Sequence, residues 1–193
     1  MSVKAWALKP GELKRLSRAA QLRLAARCAM RVEPWMPAGA KAAWRKGLDH
    51  IARAASSATP AAAEALLRTI DDKSVEASER LEDKDELRAQ CVSYAGLTLS
   101  TALEACALET GPTLTKAVID TAKYAASIAA LHAHAGRVKV GKGKDPVEVA
   151  ARAMWDAIRA DLPVVAASGA KLTAGSVRKL APLWPAKPPT WAT

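Results

Sequence analysis

The sequence predicts an all-α protein, an irregular bundle of about seven or eight helices with two of them at its centre. Three observations predict this class. Of the 193 residues, 45 are alanine, the strongest helix former, because its side chain loses no entropy on ordering. Phenylalanine is absent and tyrosine occurs only twice, so residues that favour strands are scarce. Apolar residues recur at helical spacing along the chain.

The first third of the chain predicts three helices. A short one opens at Pro10, a second runs from a Ser17 cap to about Val32, and a third covers roughly 38–55. The stretch 33–37 contains two prolines and ends the second helix, because proline disfavours the helical conformation in the residue before it.

The middle of the chain predicts one helix, a connector and then the centre of the bundle. Thr59 is expected to cap a helix whose first residue is Pro60. The acidic stretch 71–86 is expected to be mainly a connector. Two long helices with few charges follow, and we expect them to be buried on most sides. They are Lys84–Glu109 and Thr113–Ala135.

The last quarter predicts two more helices beyond a basic, glycine-rich loop at 136–144. Asp145 can cap a helix that begins at Pro146. We expect Pro163 to break this helix, since an interior proline lacks the amide hydrogen and clashes with the preceding turn. A short helix near 176–181 completes the bundle.

Domain organisation and compartment follow from the remaining composition. We expect one helical domain at 1–184 and an extended, proline-rich tail at 185–193. No run of about 20 apolar residues predicts a membrane span, and the N-terminus does not resemble a signal peptide, so we expect a cytoplasmic protein. The three cysteines are odd in number and widely spaced, which favours buried free thiols.

The net charge of +10 is distributed unevenly along the chain. Residues 1–57 carry +9, residues 58–111 carry −6 and residues 112–193 carry +7. The basic ends suggest a nucleic-acid-associated helical protein as an alternative function. The acidic middle weakens that alternative, because the segments can neutralise one another once the chain has folded.

No pattern in the sequence predicts an enzyme, a cofactor or a metal site. The loop that starts at Gly136 matches G-x4-G-K, but Gly143 stands where a phosphate-binding loop needs serine or threonine. His132 and His134 are two residues apart on a helix and cannot share a metal ion. We therefore expect a non-enzymatic protein that acts by binding another protein.

Arginine, tryptophan and the basic loop supply the candidate contacts with that partner. Arg23, Arg27 and Arg31 recur every fourth residue, and we expect them to form a solvated outer face, with contact to phosphate or to an acidic partner as the alternative. The tryptophans either pack the terminal segments onto the bundle or serve as exposed anchors, since tryptophan and arginine dominate binding hot spots. The basic surface favours an acidic protein partner. The candidate partner-binding residues are Arg27, Arg31, Trp35, Arg137, Lys139, Lys142 and Lys144.

One stretch of the N-terminal region resembles a known family. Leu22–Trp35 contains Ala-Arg-Cys-Ala-Met-Arg-Val-Glu-Pro-Trp, and Trp44 follows on the next helix. Together with Ala42–Arg45 and Ile51–Ala54, this stretch spans about a fifth of the chain and resembles the first helices of alanine-rich, all-helical immunity proteins of bacterial polymorphic toxin systems. The resemblance implies a non-enzymatic protein that binds and blocks a cognate toxin, and it offers no catalytic residues.

Overall fold

A computed structural model describes residues 6–57, 59–137, 145–169, 173–184 and 188–189. Within these ranges the chain forms eight α-helices and no strand, which confirms the predicted all-α class. None of the described helices is long and apolar enough to cross a membrane. The helices are α1 (Pro10–Leu13), α2 (Arg18–Val32), α3 (Lys41–Ala55), α4 (Glu64–Glu82), α5 (Glu86–Ala105), α6 (Pro112–His132), α7 (Pro146–Ala167) and α8 (Ala174–Lys179).

The predicted central pair is present, and a third helix joins it. Helices α5 and α6 form the most extensive helix pair, with α4 packed on α5 and α7 packed on α6. Helix α2 contacts α3, α5, α6 and α7. Every residue of α2 from Ala20 to Val32 is buried, including its arginines. The centre of the bundle therefore contains α2 as well as the two helices that the sequence predicts.

Small side chains bring the helices close together, and two tryptophans fill the space that remains. Trp44 and Trp155 are fully buried and are the largest core side chains in a chain without phenylalanine. Gly96 of α5 lies directly against Ser74 of α4, where an added Cβ would lie 2.3 Å from the serine Oγ. A side chain at this position would overpack the α4–α5 contact.

Helix starts agree well with the sequence where a polar cap is present. The Ser17 hydroxyl accepts a hydrogen bond from the Ala20 amide at 3.2 Å, and the Asp145 carboxylate accepts one from the Val147 amide at 2.9 Å. The C-terminal end of α6 continues into a π-helical turn, Ala133–Arg137, in which Gly136 has a φ of 70°. This left-handed conformation is the usual glycine ending of a helix.

Helix α4 differs from the prediction at both of its ends. Residues 60–63 are not helical, because the Ala61 amide donates to the carbonyl of Cys106 at 2.9 Å and holds this segment against the end of α5. The predicted acidic connector is instead the second half of α4, which runs unbroken to Glu82. Packing of Ile70 and Ser74 against α5 outweighs the weak helical pattern of this polar stretch.

The prediction that Pro163 breaks a helix is wrong. Helix α7 continues through Pro163 to Ala167. An interior proline costs about 3 kcal/mol. Asp161 and Val165, one on each side of the proline, are both buried, and the contacts they make across the bundle offset that cost. The predicted extended tail 185–193 lies almost wholly outside the described residues.

Candidate functional site

The arginine face of α2 is buried, so the predicted solvated outer face is wrong. Arg23, Arg27 and Arg31 are each at most 2% exposed. The aliphatic stems of such side chains pack as apolar groups, while each guanidinium needs several hydrogen-bond acceptors. The acceptors come from the C-terminal part of the chain, which covers this face of α2. Arg27 and Arg31 are therefore not available to an external partner in this structure.

Asp161 of α7 links the two most deeply buried guanidinium groups. An Nη atom of Arg27 lies 2.8 Å from one carboxylate oxygen, and an Nη atom of Arg31 lies 2.6 Å from the other. One carboxylate thus compensates two cations, which leaves an excess positive charge in the interior. A buried charge without partners is strongly destabilising, so further acceptors are required.

Backbone carbonyls of the C-terminal segment supply these acceptors. Arg27 donates to the carbonyls of Val177, Ala181 and Pro182 at 2.9–3.1 Å. Arg31 donates to the carbonyls of Leu183 and Ala157 at 2.8 and 3.0 Å, and its guanidinium lies 5.8 Å from the ring centre of Trp184. Arg23 donates to the Ser168 carbonyl and hydroxyl. The arginine face therefore holds the last part of the domain in place.

Cys28 lies within the same cluster, and its burial shows that the cluster excludes solvent. The thiol is fully buried, and burial raises its pKa from 9.0 to about 12, with smaller and opposing influences from the charges of Arg31, Asp161 and Arg27. Cys91 and Cys106 are also buried and form no disulfide, as the sequence predicts. The described residues contain no group of three or more His, Cys, Asp or Glu side chains placed to hold a metal ion.

The tryptophans in the described ranges pack against the core, which agrees with the structural alternative. Trp6, Trp35 and Trp184 are half-buried against the core cluster. Trp35 meets the buried ring of His132 edge-on, with ring centres 5.7 Å apart. Trp35 therefore joins the short 3-10 turn after α2 to the end of α6, and only part of its ring is open to solvent.

Most of the basic loop lies outside the residues that the structure describes. Arg137 is the last residue of the π-helical turn that ends α6, and no side-chain geometry is described for it. Lys139, Lys142 and Lys144 lie outside the described residues. Their candidacy as partner contacts stays a prediction.

A groove lies between α1 and α6, and no pattern in the sequence predicts both of its walls. Its volume is about 570 Å³. One wall is the N-terminal segment with α1, and the other is the first three turns of α6 and the connection before it. We call it the α1–α6 groove, and its lining residues are Leu8, Pro10, Lys14, Gln21, Thr110, Gly111, Pro112, Thr115, Lys116, Ile119 and Lys123.

The floor of the groove is apolar because its polar groups are used internally. Leu8 and Ile119 are the buried apolar residues there. The Gln21 amide donates to the carbonyls of Leu13 and Leu16 at 3.3 and 3.2 Å, and its oxygen accepts from the Thr115 hydroxyl at 3.4 Å. These bonds leave no side-chain polar group of Gln21 to fix a ligand. The floor therefore offers apolar contact.

The rim of the groove is cationic. Lys116 and Lys123 share the carboxylate of Asp120, with N–O distances of 2.6 and 2.9 Å, and both lysine side chains are more than half exposed. Burial alone would raise the pKa of Asp120, but the hydrogen bonds and charges of the two lysines outweigh it and hold the pKa below its ordinary value. Lys14, from the opposite wall, is a third lysine that lines the groove.

The α1 wall is anchored to the rest of the bundle. Leu13 is completely buried. Arg159 of α7 donates to the carbonyls of Trp6 and Ala7 at 2.6 and 3.2 Å, and it pairs with Glu12 at 3.2 Å. These contacts hold α1 against α7, and both α1 and α7 pack on α6, so the groove is a preformed feature of the fold.

A second concavity of about 330 Å³ lies between α2, α3 and α8, but its charges balance. Arg45 and Arg178 line it together with Glu33 and Asp49. Glu33 and Arg178 form an ion pair. Of these two concavities, the α1–α6 groove is the one with a net charge and an apolar floor.

Comparison with known proteins supports the fold. No protein-family model matches the chain, and a comparison with curated protein sequences finds no match. Among solved structures, the chain is similar to a DUF416 family protein from Shewanella baltica OS155, with a TM-score of 0.62. The similarity covers 89% of this chain and 90% of that one, at 15% sequence identity. A likeness at this identity shows a shared fold, and the fold extends over nearly the whole chain.

The sequence contains a pattern that marks the α6 wall of the groove. Pro112, Lys116, Ile119 and Lys123 follow helical spacing and so share one face of α6. No local pattern shows that α1, about a hundred residues earlier in the chain, forms the opposite wall.

Proposed function

We propose that this protein acts by binding another protein, as an immunity protein that neutralises a cognate bacterial toxin. The observation that carries the proposal is the α1–α6 groove, an accessible, preformed concavity with an apolar floor and a cationic rim. Apolar contact surrounded by charge is the usual composition of a protein-binding surface. The resemblance of Leu22–Trp35 to immunity proteins supplies the class of partner.

The buried arginines bear on the alternative of nucleic-acid binding. Arg18, Arg23, Arg27, Arg31 and Arg159 direct their guanidinium groups to backbone carbonyls or carboxylates of the same chain. These side chains account for part of the basic charge in both terminal segments, and they are not free to contact phosphate. The field presented to a nucleic acid is therefore weaker than the net charge of +10 suggests.

Neutralisation in a bacterial host tests the proposal. The product of the gene adjacent to this one is expressed alone and together with this protein, and growth is followed. We expect the neighbour to arrest growth, this protein to restore it, and the two purified chains to elute as one complex in size-exclusion chromatography. An unrelated toxin, which this protein should not neutralise, is the control. If neither adjacent product is toxic or bound, the immunity function is wrong.

Binding to nucleic acid is measured on the same purified protein. Fluorescence anisotropy with a short labelled DNA duplex and a single-stranded RNA should show affinities no tighter than the micromolar range at about 150 mM salt. Submicromolar binding under these conditions would favour the nucleic-acid alternative over the immunity function.

A further inference from the structure

We infer that the α1–α6 groove binds an acidic segment of a partner protein, in which an apolar side chain is flanked by carboxylates. The inference rests on the proposed function and names the site and the chemistry of its partner. The apolar floor formed by Leu8 and Ile119 receives the apolar side chain. The ammonium groups of Lys14, Lys116 and Lys123 receive the carboxylates around it.

Charge complementarity determines the sign of the occupant. Among the residues that the structure describes, no carboxylate lines the groove, and Asp120, next to it on α6, already holds two of the three lysines. Helix α6 begins in the groove at Pro112, preceded by Gly111, which offers no side-chain cap. The positive end of the helix dipole therefore adds to the lysine charges. A basic segment would be repelled and a neutral one would leave these charges unmatched.

The chemistry of the floor favours a protein segment over a small molecule. A small ligand is usually oriented by a few well-placed polar groups inside its pocket. Here the polar groups of Gln21 are satisfied by the protein itself, and the charges stand on exposed, flexible lysines at the rim. Such an arrangement matches a partner that brings several carboxylates and one apolar anchor, spread over its own surface.

Peptide titration followed by amide NMR locates and measures this binding. The probes are two acetylated peptides of equal length, one alternating glutamate with leucine and the other alternating lysine with leucine. We expect the glutamate peptide to shift the amide signals of the groove residues on α1 and α6, with an affinity that falls as salt rises. The lysine peptide should leave these signals unchanged.

Two charge-reversed variants of equal net charge provide the matched control. Lys14→Glu/Lys116→Glu alters the rim of the groove, whereas Lys41→Glu/Lys46→Glu alters exposed lysines on α3. We expect the rim variant to weaken binding of the glutamate peptide about tenfold or more and the α3 variant to change it less than about twofold. Circular dichroism and thermal unfolding establish that both variants are folded. Ile119→Thr, which leaves the charges intact, should weaken the same peptide by removing apolar contact.

Three outcomes overturn the inference. The first is that the glutamate peptide does not shift the amide signals of the groove residues. The second is that both charge variants lose binding of this peptide equally. The third is that sodium dodecanoate shifts the groove signals and the glutamate peptide does not. The last result assigns the groove to a small amphiphilic anion.

Failure of the inference can be separated from failure of the proposed function. If the Lys14→Glu/Lys116→Glu variant still neutralises the adjacent toxin and binds it with unchanged affinity, the immunity function stands and the groove is not its site. If the glutamate peptide binds the groove as expected but no adjacent product is toxic, the groove inference stands and the immunity function is wrong.

Discussion

The arginine face of α2 and the lysine rim of the α1–α6 groove are both cationic surfaces of a helix, yet they have opposite environments. Arg27 and Arg31 are buried, and their guanidinium groups bond to Asp161 and to backbone carbonyls. Lys116 and Lys123 stand more than half exposed, with one carboxylate between them. The first surface lies inside the fold, and the second is exposed to solvent.

The difference follows from the chemistry of the two side chains. Guanidinium is planar, weakly hydrated and carries five donors, so it can be buried if enough oxygen acceptors surround it. The ammonium group of lysine is strongly hydrated and is normally left in water. Formal charge therefore does not show which cations of this protein are available for binding. Substitutions in the arginine face should change the free energy of unfolding, and substitutions in the lysine rim should change binding.

Thiol reactivity should show the largest effect, because Cys28 lies inside the arginine cluster. A pKa of about 12 instead of 9.0 lowers the thiolate fraction near pH 8 by roughly a thousandfold, and only the thiolate reacts with iodoacetamide. We expect Cys28 to stay unmodified in the native protein and to react in urea, as followed by mass spectrometry. If Cys28 reacts in native buffer at a rate within about tenfold of its rate in urea, the arginine cluster does not exclude solvent from the thiol.

Removal of Asp161 should be the most destabilising substitution of the comparison. Asp161→Ala leaves two buried guanidinium groups without their carboxylate, and loss of one partner from a buried ion pair costs about 3–5 kcal/mol. Urea unfolding measures the loss of free energy. Asp156→Ala, on the same helix but exposed, is the matched control and should change stability by less than about 0.5 kcal/mol. Equal effects of the two changes would show that the buried cluster is not a stabilising element.

Arg18 should show an intermediate effect, because it is the part-buried member of the arginine series on α2. Its guanidinium donates to the carbonyls of Ala54 and Ser57 at the end of α3 and of Cys106 and Leu108 after α5, at 2.7–3.2 Å. These carbonyls lie at or just beyond the C-terminal ends of α3 and α5, where no following helical turn supplies a full set of amide donors. We expect Arg18→Met to cost about 1–3 kcal/mol in urea unfolding.

A neighbouring arginine provides the control for that change. Arg15 lies exposed just before α2, so Arg15→Met removes the same charge without removing these bonds. If Arg15→Met were as destabilising as Arg18→Met, net charge and not carbonyl bonding would explain the loss.

The groove lysines should show the smallest effect on stability. Lys116→Gln removes an exposed ion pair, and such pairs contribute little, so the urea midpoint should not change. The same substitution should raise the pKa of Asp120 toward its ordinary value, because one of the two hydrogen bonds that lower it is lost. A carboxyl NMR titration measures this pKa. A lowered urea midpoint, or an unchanged Asp120 pKa, would show that the rim is organised differently.

Local sequence features determined where most helices lie. Ser17 and Asp145 cap α2 and α7 as predicted, since a polar side chain and the first helical amides are neighbours in the chain. The alanine-rich, weakly charged stretches that become α5 and α6 form the central pair, as their composition indicates. These features depend on residues only a few positions apart, which the sequence shows directly.

Tertiary packing decided the features that local patterns predicted wrongly. Helix α4 extends through an acidic stretch because Ser74 packs against Gly96 of α5. Helix α7 continues through Pro163 because buried Asp161 meets Arg27 and Arg31 across the bundle. In each case the deciding contact joins residues distant in the chain, and its energy exceeds a local preference of a few kcal/mol at most.

The same reason explains why the sequence did not distinguish the two cationic surfaces. An arginine at every fourth position of α2 gives the same pattern whether it faces water or the carbonyls of a covering segment. Arg27 meets the carbonyl of Ala181, 154 positions along the chain, and no spacing within α2 records that contact. The sequence by itself determined where most helices lie and how many positive charges the chain carries. Only the tertiary structure decided which charges are buried, because solvent exclusion is a property of the assembled bundle.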